Sequence, residues 1–226
     1  RHMTLGGKMV NFGGYLLPIQ YSGIKQEHKA VREKAGLFDV SHMGELFISG
    51  RDAQGFLQKV TINDPSNLST GQAQYSAMCY ENGGIIDDLL VYKRQYDFML
   101  VVNATNIEKD FNWLQSQVKG NVKIENKSDH ISLVALQGPR SKEILQIITD
   151  TLLSNIQFYH FVDGNIAGNQ CIISRTGYTG ELGFEIYADS NKIGAIWDDI
   201  MAAGEDKGLM PAGLGCRDTL RIEMKY

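Results

Sequence analysis

The chain has 226 residues with a formal net charge of -4 at pH 7, and 43% of them are apolar, which predicts a globular protein with one large core or two smaller ones. The acidic balance gives no basic footprint for nucleic acid, and no apolar run reaches the roughly 18 residues needed to span a bilayer. The three cysteines, Cys79, Cys171 and Cys216, have no CxxC or Cys/His spacing, which argues against a zinc site or a disulfide framework.

The first half of the chain predicts alternating strands and helices. Residues 1–23 are rich in glycine and predict a loop with a short strand. The apolar spacing over residues 24–35 predicts a helix, with Gly36 as its left-handed C-terminal cap. Thr105 to Glu108 match a capping box that would open a later helix. The remaining elements are a strand at 45–48, a helix at 52–60, strands at 75–80, 85–93 and 98–102, a helix ending near 118 and a strand at 122–127.

This order of strand, helix, three strands, helix and strand is close to a split β-α-β arrangement with an antiparallel sheet. The second half predicts a strand at 131–137, a helix opened by Gly138-Pro139, a hairpin across 170–188, a helix at 191–203 and the start of a helix at 214–226. The predicted fold class is therefore α+β, with antiparallel sheets, flanking helices and ferredoxin-like (split β-α-β) elements.

Two adjacent carboxylates interrupt the apolar strand at 85–93. Because successive side chains point to opposite faces, Ile86, Asp88, Leu90 and Tyr92 are predicted to share one face and Asp87 the other. An ionised carboxylate among apolar side chains is costly unless it has partners. The pair is therefore either a functional site with an aromatic wall or a structural pair at a sheet edge.

A second candidate is the glycine-rich segment 174–185, which lacks the spacing of a phosphate loop or a dinucleotide fingerprint. Glu185 follows it between Phe184 and Ile186. A buried carboxylate there would accept two parallel N–H bonds from a guanidinium or an aminopyrimidinone. The alternative is a plain surface glutamate on an alternating strand.

A third candidate is Arg217, at the opening of the last predicted helix. A cation there opposes the helix dipole, so another group should hold it. Two explanations are open: a ligand carboxylate, or an internal ion pair with Asp218, Glu181 or Glu185.

Six separated blocks together resemble the glycine cleavage system T-protein (aminomethyltransferase) family over essentially the whole chain. The blocks are FDVSHMGE at 38–45, ENGGIIDDL at 81–89, VNA at 102–104, LQGP at 136–139, SRTGYTGE at 174–181 and PAGLGCRD at 211–218.

The resemblance implies an enzyme that releases ammonia from the aminomethyl-dihydrolipoyl arm of H-protein and transfers the methylene to tetrahydrofolate, giving 5,10-methylenetetrahydrofolate. Tetrahydrofolate is then a co-substrate, lipoylated H-protein and the other glycine cleavage components are the partners, and no metal is expected. The implied compartment is the bacterial cytoplasm, or the mitochondrial matrix for a eukaryotic source.

The resemblance also implies the residue roles. Asp88 matches the key acid that activates the folate amine, with Asp87 as its structural partner. Glu185 matches the carboxylate that grips the pterin edge, and Arg217 matches the substrate-contacting arginine. Positions lining the folate pocket match Tyr92, Asn103, Tyr178, Met43 and Tyr75.

The implied domain organisation places a folate-binding domain in residues 1–44 and 129–226, interrupted by a ferredoxin-like domain at 45–128. Residues before Arg1 and a C-terminal barrel domain after Tyr226 are expected to be missing from this chain. Competing interpretations are a folate-binding iron–sulfur assembly factor without transferase activity, a folate-dependent demethylase or sarcosine-oxidase-type folate domain, and a fragment that binds weakly or not at all.

Overall fold

The computed structural model describes residues 1–226, which form two compact units. Unit 1 holds residues 1–41 and 132–226, and unit 2 holds residues 42–131. The strands are β1 (Lys8–Phe12), β2 (Tyr15–Gln20), β3 (Ala35–Asp39), β4 (Gly44–Ser49), β5 (Gln72–Cys79), β6 (Ile85–Lys93), β7 (Phe98–Val102), β8 (Lys123–Asn126), β9 (Ile131–Gln137), β10 (Phe161–Ile166), β11 (Asn169–Ser174), β12 (Gly183–Asp189) and β13 (Leu209–Pro211). The α-helices are α1 (Ile24–Glu33), α2 (Ala53–Val60), α3 (Ile107–Gln117), α4 (Ser141–Leu145), α5 (Ile193–Gly204) and α6 (Leu214–Glu223).

Unit 2 is built on a five-stranded antiparallel sheet in the order β5-β6-β7-β4-β8. Without the edge strand β5, this is the strand order of a split β-α-β fold, which confirms the predicted arrangement. Apolar side chains of α2 and α3 join those of the sheet in one buried cluster. The amphipathic spacing of Ile107, Phe111 and Leu114 therefore directs α3 onto the sheet as predicted.

Unit 1 contains a six-stranded sheet in the order β10-β11-β12-β9-β3-β13 and a separate β1-β2 hairpin. The hairpin turns at Gly13 and Gly14, which both have positive φ angles, 58° and 89°, as a tight hairpin turn requires. Strand β13 runs parallel to β3, whereas β3–β9, β10–β11 and β11–β12 are antiparallel. Helices α4 and α5 contribute to the core of this unit.

Several local predictions were wrong. Helix α1 ends at Glu33, and Gly36 lies inside β3 rather than at a left-handed helix cap. A Cβ on Gly36 would lie 2.5 Å from Val31 Cγ2, so close packing explains the glycine. The predicted capping box does not form, because Thr105 and Asn106 belong to a 3₁₀ turn and Asn106, the helix N-cap, makes no side-chain capping bond.

Candidate functional site

The neighbouring residues Asp87 and Asp88 point to opposite faces of β6 in unit 2. Asp87 is buried, whereas Asp88 is half-buried. The pairing of β5 with β6 shifts register, since Met78 pairs with Asp87 but Cys79 pairs with Ile85. This bulge lets Ile86 join the same apolar cluster as Leu89 and Val91. The prediction that Ile86 shares the face of Asp88 was therefore wrong.

Both carboxylate oxygens of Asp88 accept hydrogen bonds from neutral groups. The Tyr75 hydroxyl donates to Asp88 Oδ2 over 2.8 Å, and Asn103 Nδ2 donates to Asp88 Oδ1 over 2.9 Å. Asn103 follows β7 directly, and its Nδ2 also donates to Asp87 Oδ1 over 3.0 Å. The structure thus brings together Asp88, Tyr75 and Asn103, three of the predicted site residues.

The two other predicted site residues of unit 2 are Tyr92 and Met43. Tyr92 lies on β6 beyond Leu90 and is fully buried. Met43 is half-buried in the bend before β4, whose first residue, Gly44, pairs with Val102 next to Asn103.

A third carboxyl lies beside the Asp pair and was missed by the sequence analysis. Asp110 on α3 is fully buried, and neither of its carboxylate oxygens has a hydrogen-bond partner. Burial, followed by the neighbouring carboxyl group of Asp87, raises the pKa of Asp110 to about 8. Position 110 lies one turn after Ile107 on the apolar face of the helix, and this is the signal that would have found it.

A fourth carboxyl of unit 2, Glu45 on β4, was also missed. It is fully buried, and neither of its carboxylate oxygens receives a hydrogen bond. Burial raises the pKa of Glu45 to about 9. Glu45 is therefore a neutral acid at physiological pH, held in the protein without a donor.

In unit 1, Glu185 on β12 is 7% exposed, so its interpretation as a plain surface glutamate was wrong. Its Oε2 accepts a short hydrogen bond from the Thr176 hydroxyl and a second, of 3.4 Å, from the Tyr187 hydroxyl. The Thr176 hydroxyl lies 2.9 Å from that of Ser174. Burial raises the pKa of Glu185, while Thr176, the positive charge of Arg217 and Tyr187 oppose that rise.

Arg217, in the first turns of α6, is held by an aromatic ring. Its guanidinium carbon lies 4.4 Å from the ring centroid of Tyr178, a geometry typical of a cation–π contact. Of the predicted ion-pair partners, Asp218 pairs with Arg221 over 2.6 Å and Glu181 with Arg32 over 3.1 Å. Arg217 therefore stacks on Tyr178 instead of pairing with either acid.

No group of three or more His, Cys, Asp or Glu side chains is arranged to hold a metal ion. None of the helices combines the length and the apolar character needed to cross a membrane.

Residues 1–226 match the family model described as the GCVT N-terminal domain. An aminomethyltransferase from Lysinibacillus sphaericus (strain C3-41) is 55% identical over 221 residues, which cover 96% of this chain and 60% of that relative. An aminomethyltransferase from Chloroherpeton thalassium is 52% identical over 227 residues, covering 100% of this chain and 63% of the relative. The chain thus spans about three fifths of the length of these curated relatives.

Two solved structures resemble the chain. The glycine cleavage system aminomethyltransferase T from Bartonella henselae superposes with a TM-score of 0.91 at 32% identity, covering 100% of this chain and 61% of that one. Heterotetrameric sarcosine oxidase from Corynebacterium sp. U-96 gives a TM-score of 0.62 at 14% identity, covering 82% of this chain and 92% of the oxidase chain. The second likeness shows a shared fold alone.

Proposed function

We propose that this chain, which belongs to the GCVT N-terminal domain family, is the tetrahydrofolate-dependent part of an aminomethyltransferase of the glycine cleavage system. The single observation that carries the proposal is the environment of Asp88, whose two oxygens are held by Tyr75 and Asn103. Neutral donors fix this carboxylate without cancelling its charge. The aminomethyltransferase relatives at 52% to 55% identity support the assignment.

The proposed reaction starts from an aminomethyl group on a lipoyl sulfur. The carbon–nitrogen bond breaks, the amine leaves as ammonia, and the lone pair of a folate amine forms a new bond to the methylene carbon. The carbon–sulfur bond then breaks as the second folate nitrogen attacks. The two N–H protons lost by the folate go to the departing ammonia and to the lipoyl thiolate, so that atoms and charge balance.

Asp88 is proposed as the catalytic residue of this sequence. Positive charge develops on the folate nitrogen as it attacks the methylene carbon, and a fixed carboxylate stabilises that charge without reorganising. Holding the amine next to the electrophilic carbon supplies much of the remaining acceleration. Asn103 and Tyr75 fix the carboxylate, while Tyr92 and Met43 are proposed to line the folate pocket.

Glu185 fits the proposed role of a pterin-binding carboxylate. Both of its hydrogen bonds from Thr176 and Tyr187 fall on Oε2, which leaves Oε1 to accept an N–H group of a ligand. Arg217 fits the binding of a folate carboxylate, because its stacking on Tyr178 leaves the N–H groups at the edge of the guanidinium for an anion.

Lipoylated H-protein is the proposed donor of the aminomethyl group, within the glycine cleavage system. The relatives from Lysinibacillus and Chloroherpeton are bacterial, so we place the reaction in a bacterial cytoplasm.

The test is calorimetric titration of this chain with tetrahydrofolate, followed by an assay of methylenetetrahydrofolate formation on adding aminomethylated H-protein. The longer Lysinibacillus relative is the positive control. Glu185→Ala is expected to abolish binding, whereas Glu205→Ala, which removes an exposed acid of unit 1, is expected to leave it unchanged. Failure of the parent chain to bind folate under conditions where the relative binds would refute the proposal for this chain.

A further inference from the structure

The contact between Asp87 and Asp110 requires a proton. Asp87 Oδ2 and both oxygens of Asp110 are buried without a hydrogen-bond partner, and Asp87 is close enough to act on the Asp110 carboxyl group. Two ionised carboxylates that are buried side by side repel one another, and neither can donate a hydrogen bond to the other. A carboxylic acid that donates to a carboxylate satisfies both groups.

The surroundings indicate which residue holds this proton. Asp87 Oδ1 already accepts a hydrogen bond from Asn103 Nδ2. Asp110 has no donor, and its nearest cation, Lys109 Nζ, lies 3.9 Å away and donates over 2.7 Å to the Ile86 carbonyl instead. The charged groups acting on Asp110 are Asp87 and Asp88 from β6 and Lys109 from α3. Burial and the neighbouring Asp87 carboxyl group, which raise the pKa of Asp110 to about 8, agree with a neutral Asp110.

The proton on Asp110 has a consequence for Asn103. The side-chain nitrogen of Asn103 lies between two carboxylates, 3.0 Å from Asp87 Oδ1 and 2.9 Å from Asp88 Oδ1. One amide hydrogen can therefore point to each carboxylate, which fixes the orientation of the amide. If Asp87 moved away from an ionised Asp110, Asn103 Nδ2 would keep only Asp88 as acceptor, through its carboxylate and, over 3.3 Å, its backbone carbonyl.

We propose that Asp110 is a positioning residue, which donates its proton to Asp87 and thereby holds Asn103, and through Asn103 the carboxylate of Asp88, in a fixed orientation. The consequence for the reaction rate rests on the proposed function, whereas the shared proton and the fixed amide do not.

Two substitutions of Asp110 test whether the hydrogen-bond donor at this position is needed independently of its titration. Asp110→Asn supplies an amide donor to Asp87 at every pH, and Asp110→Ala supplies none. Glu108→Gln, which neutralises an exposed acid on the same helix, is the matched control. Circular dichroism of each variant establishes that the fold is retained.

The first measurement is a carbon-13 NMR titration of the aspartate carboxyl carbons. One carboxyl that titrates near pH 8 is expected in the parent and in Glu108→Gln, and is expected to be absent from both Asp110 variants. If every aspartate of the parent finishes titrating at acidic pH, the shared proton does not exist and the proposal is overturned.

The second measurement is hydrogen exchange at the Asn103 side-chain amide. Exchange is expected to be slow in the parent and in Asp110→Asn, and fast in Asp110→Ala. Equal exchange in the parent and the alanine variant would overturn the positioning role, whether or not the chain catalyses transfer.

The third measurement is methylene transfer. Asp110→Ala is expected to lower kcat between about tenfold and a hundredfold, as small misplacements of reacting groups do, and Asp110→Asn is expected to restore most of the loss. An alanine variant as fast as the parent would overturn the effect on rate. Absence of transfer in every protein, including the parent, would instead count against the proposed function and leave the two NMR tests to decide on Asp110.

Discussion

The stability of a Glu45→Gln variant relative to its parent is expected to rise as the pH rises. Glu45 is fully buried and its carboxyl group receives no hydrogen bond, so burial raises its pKa from the ordinary value of 4.5 to about 9. Between those two values the folded protein holds a proton that the unfolded chain has released. The free energy of unfolding therefore falls as the pH rises through this window and levels off above pH 9.

The size of this pH effect follows from how steeply the free energy of unfolding changes with pH. One bound proton changes the free energy of unfolding by about 1.4 kcal/mol per pH unit. Between about pH 5.5 and about pH 8.5, the titration of Glu45 thus lowers the free energy of unfolding by at most about 4 kcal/mol. Glutamine has nearly the same shape and no charge at any pH, so its advantage over glutamate should grow by that amount across the interval.

The assay is urea denaturation at several pH values, followed by the fluorescence of Trp113 of unit 2 in a Trp197→Phe background. The difference between Glu45→Gln and its parent cancels the titration of distant groups, which contribute equally to both. Glu81→Gln, at an exposed position of the same unit, is expected to show no such trend. A stability difference that stays constant with pH would refute the reasoning.

Three further predictions test the site and the fold. Asp88→Asn is expected to lower methylene transfer more than Asp87→Asn, and the reverse order would sink the assignment of Asp88. Glu27→Ala should cost about 3 kcal/mol in urea denaturation, because this buried carboxylate accepts three backbone N–H groups; a loss below 1 kcal/mol would contradict this. Gly36→Ala should cost about 1 to 3 kcal/mol through overpacking against Val31, measured by urea denaturation with the fluorescence of Trp197 of unit 1 as the probe, and an unchanged stability would contradict this.

The predictions succeeded where local spacing decides the structure. The apolar spacing of α3 directs Ile107 and Leu114 into one core, and the short connections between β5, β6 and β7 lead to the antiparallel pairing that was predicted. Strand β3 was missed because its pairing with β9 and β13 depends on residues far along the chain. Strand β10 contains Asp163, Gly164 and Asn165, which disfavour strands, yet it pairs fully with β11. Tertiary pairing overrode local preference in both cases.

The same limit applies to the candidate site. The contacts among Asp88, Tyr75 and Asn103 join residues that the resemblance had already selected. Asp110 follows a lysine, and only its position one turn after Ile107 on α3 distinguishes it from a solvated surface acid. Glu45 has no such signal, because either face of a strand can be the buried one. Its burial is set by the elements that cover the sheet.

The alternation of β6 gives the two adjacent aspartates different tasks. Since neighbouring residues on a strand point to opposite faces, Asp87 faces Asp110 while Asp88 meets Tyr75 on the other side of the strand. The proton that we place on Asp110 reduces the charge of the three carboxyl groups from three to two. Asn103, which donates to both aspartates, is then the link through which a buried acid on α3 orients an accessible acid on β6. Of the two adjacent acids, Asp87 thus positions Asn103, and Asp88 is the group proposed to act in the reaction.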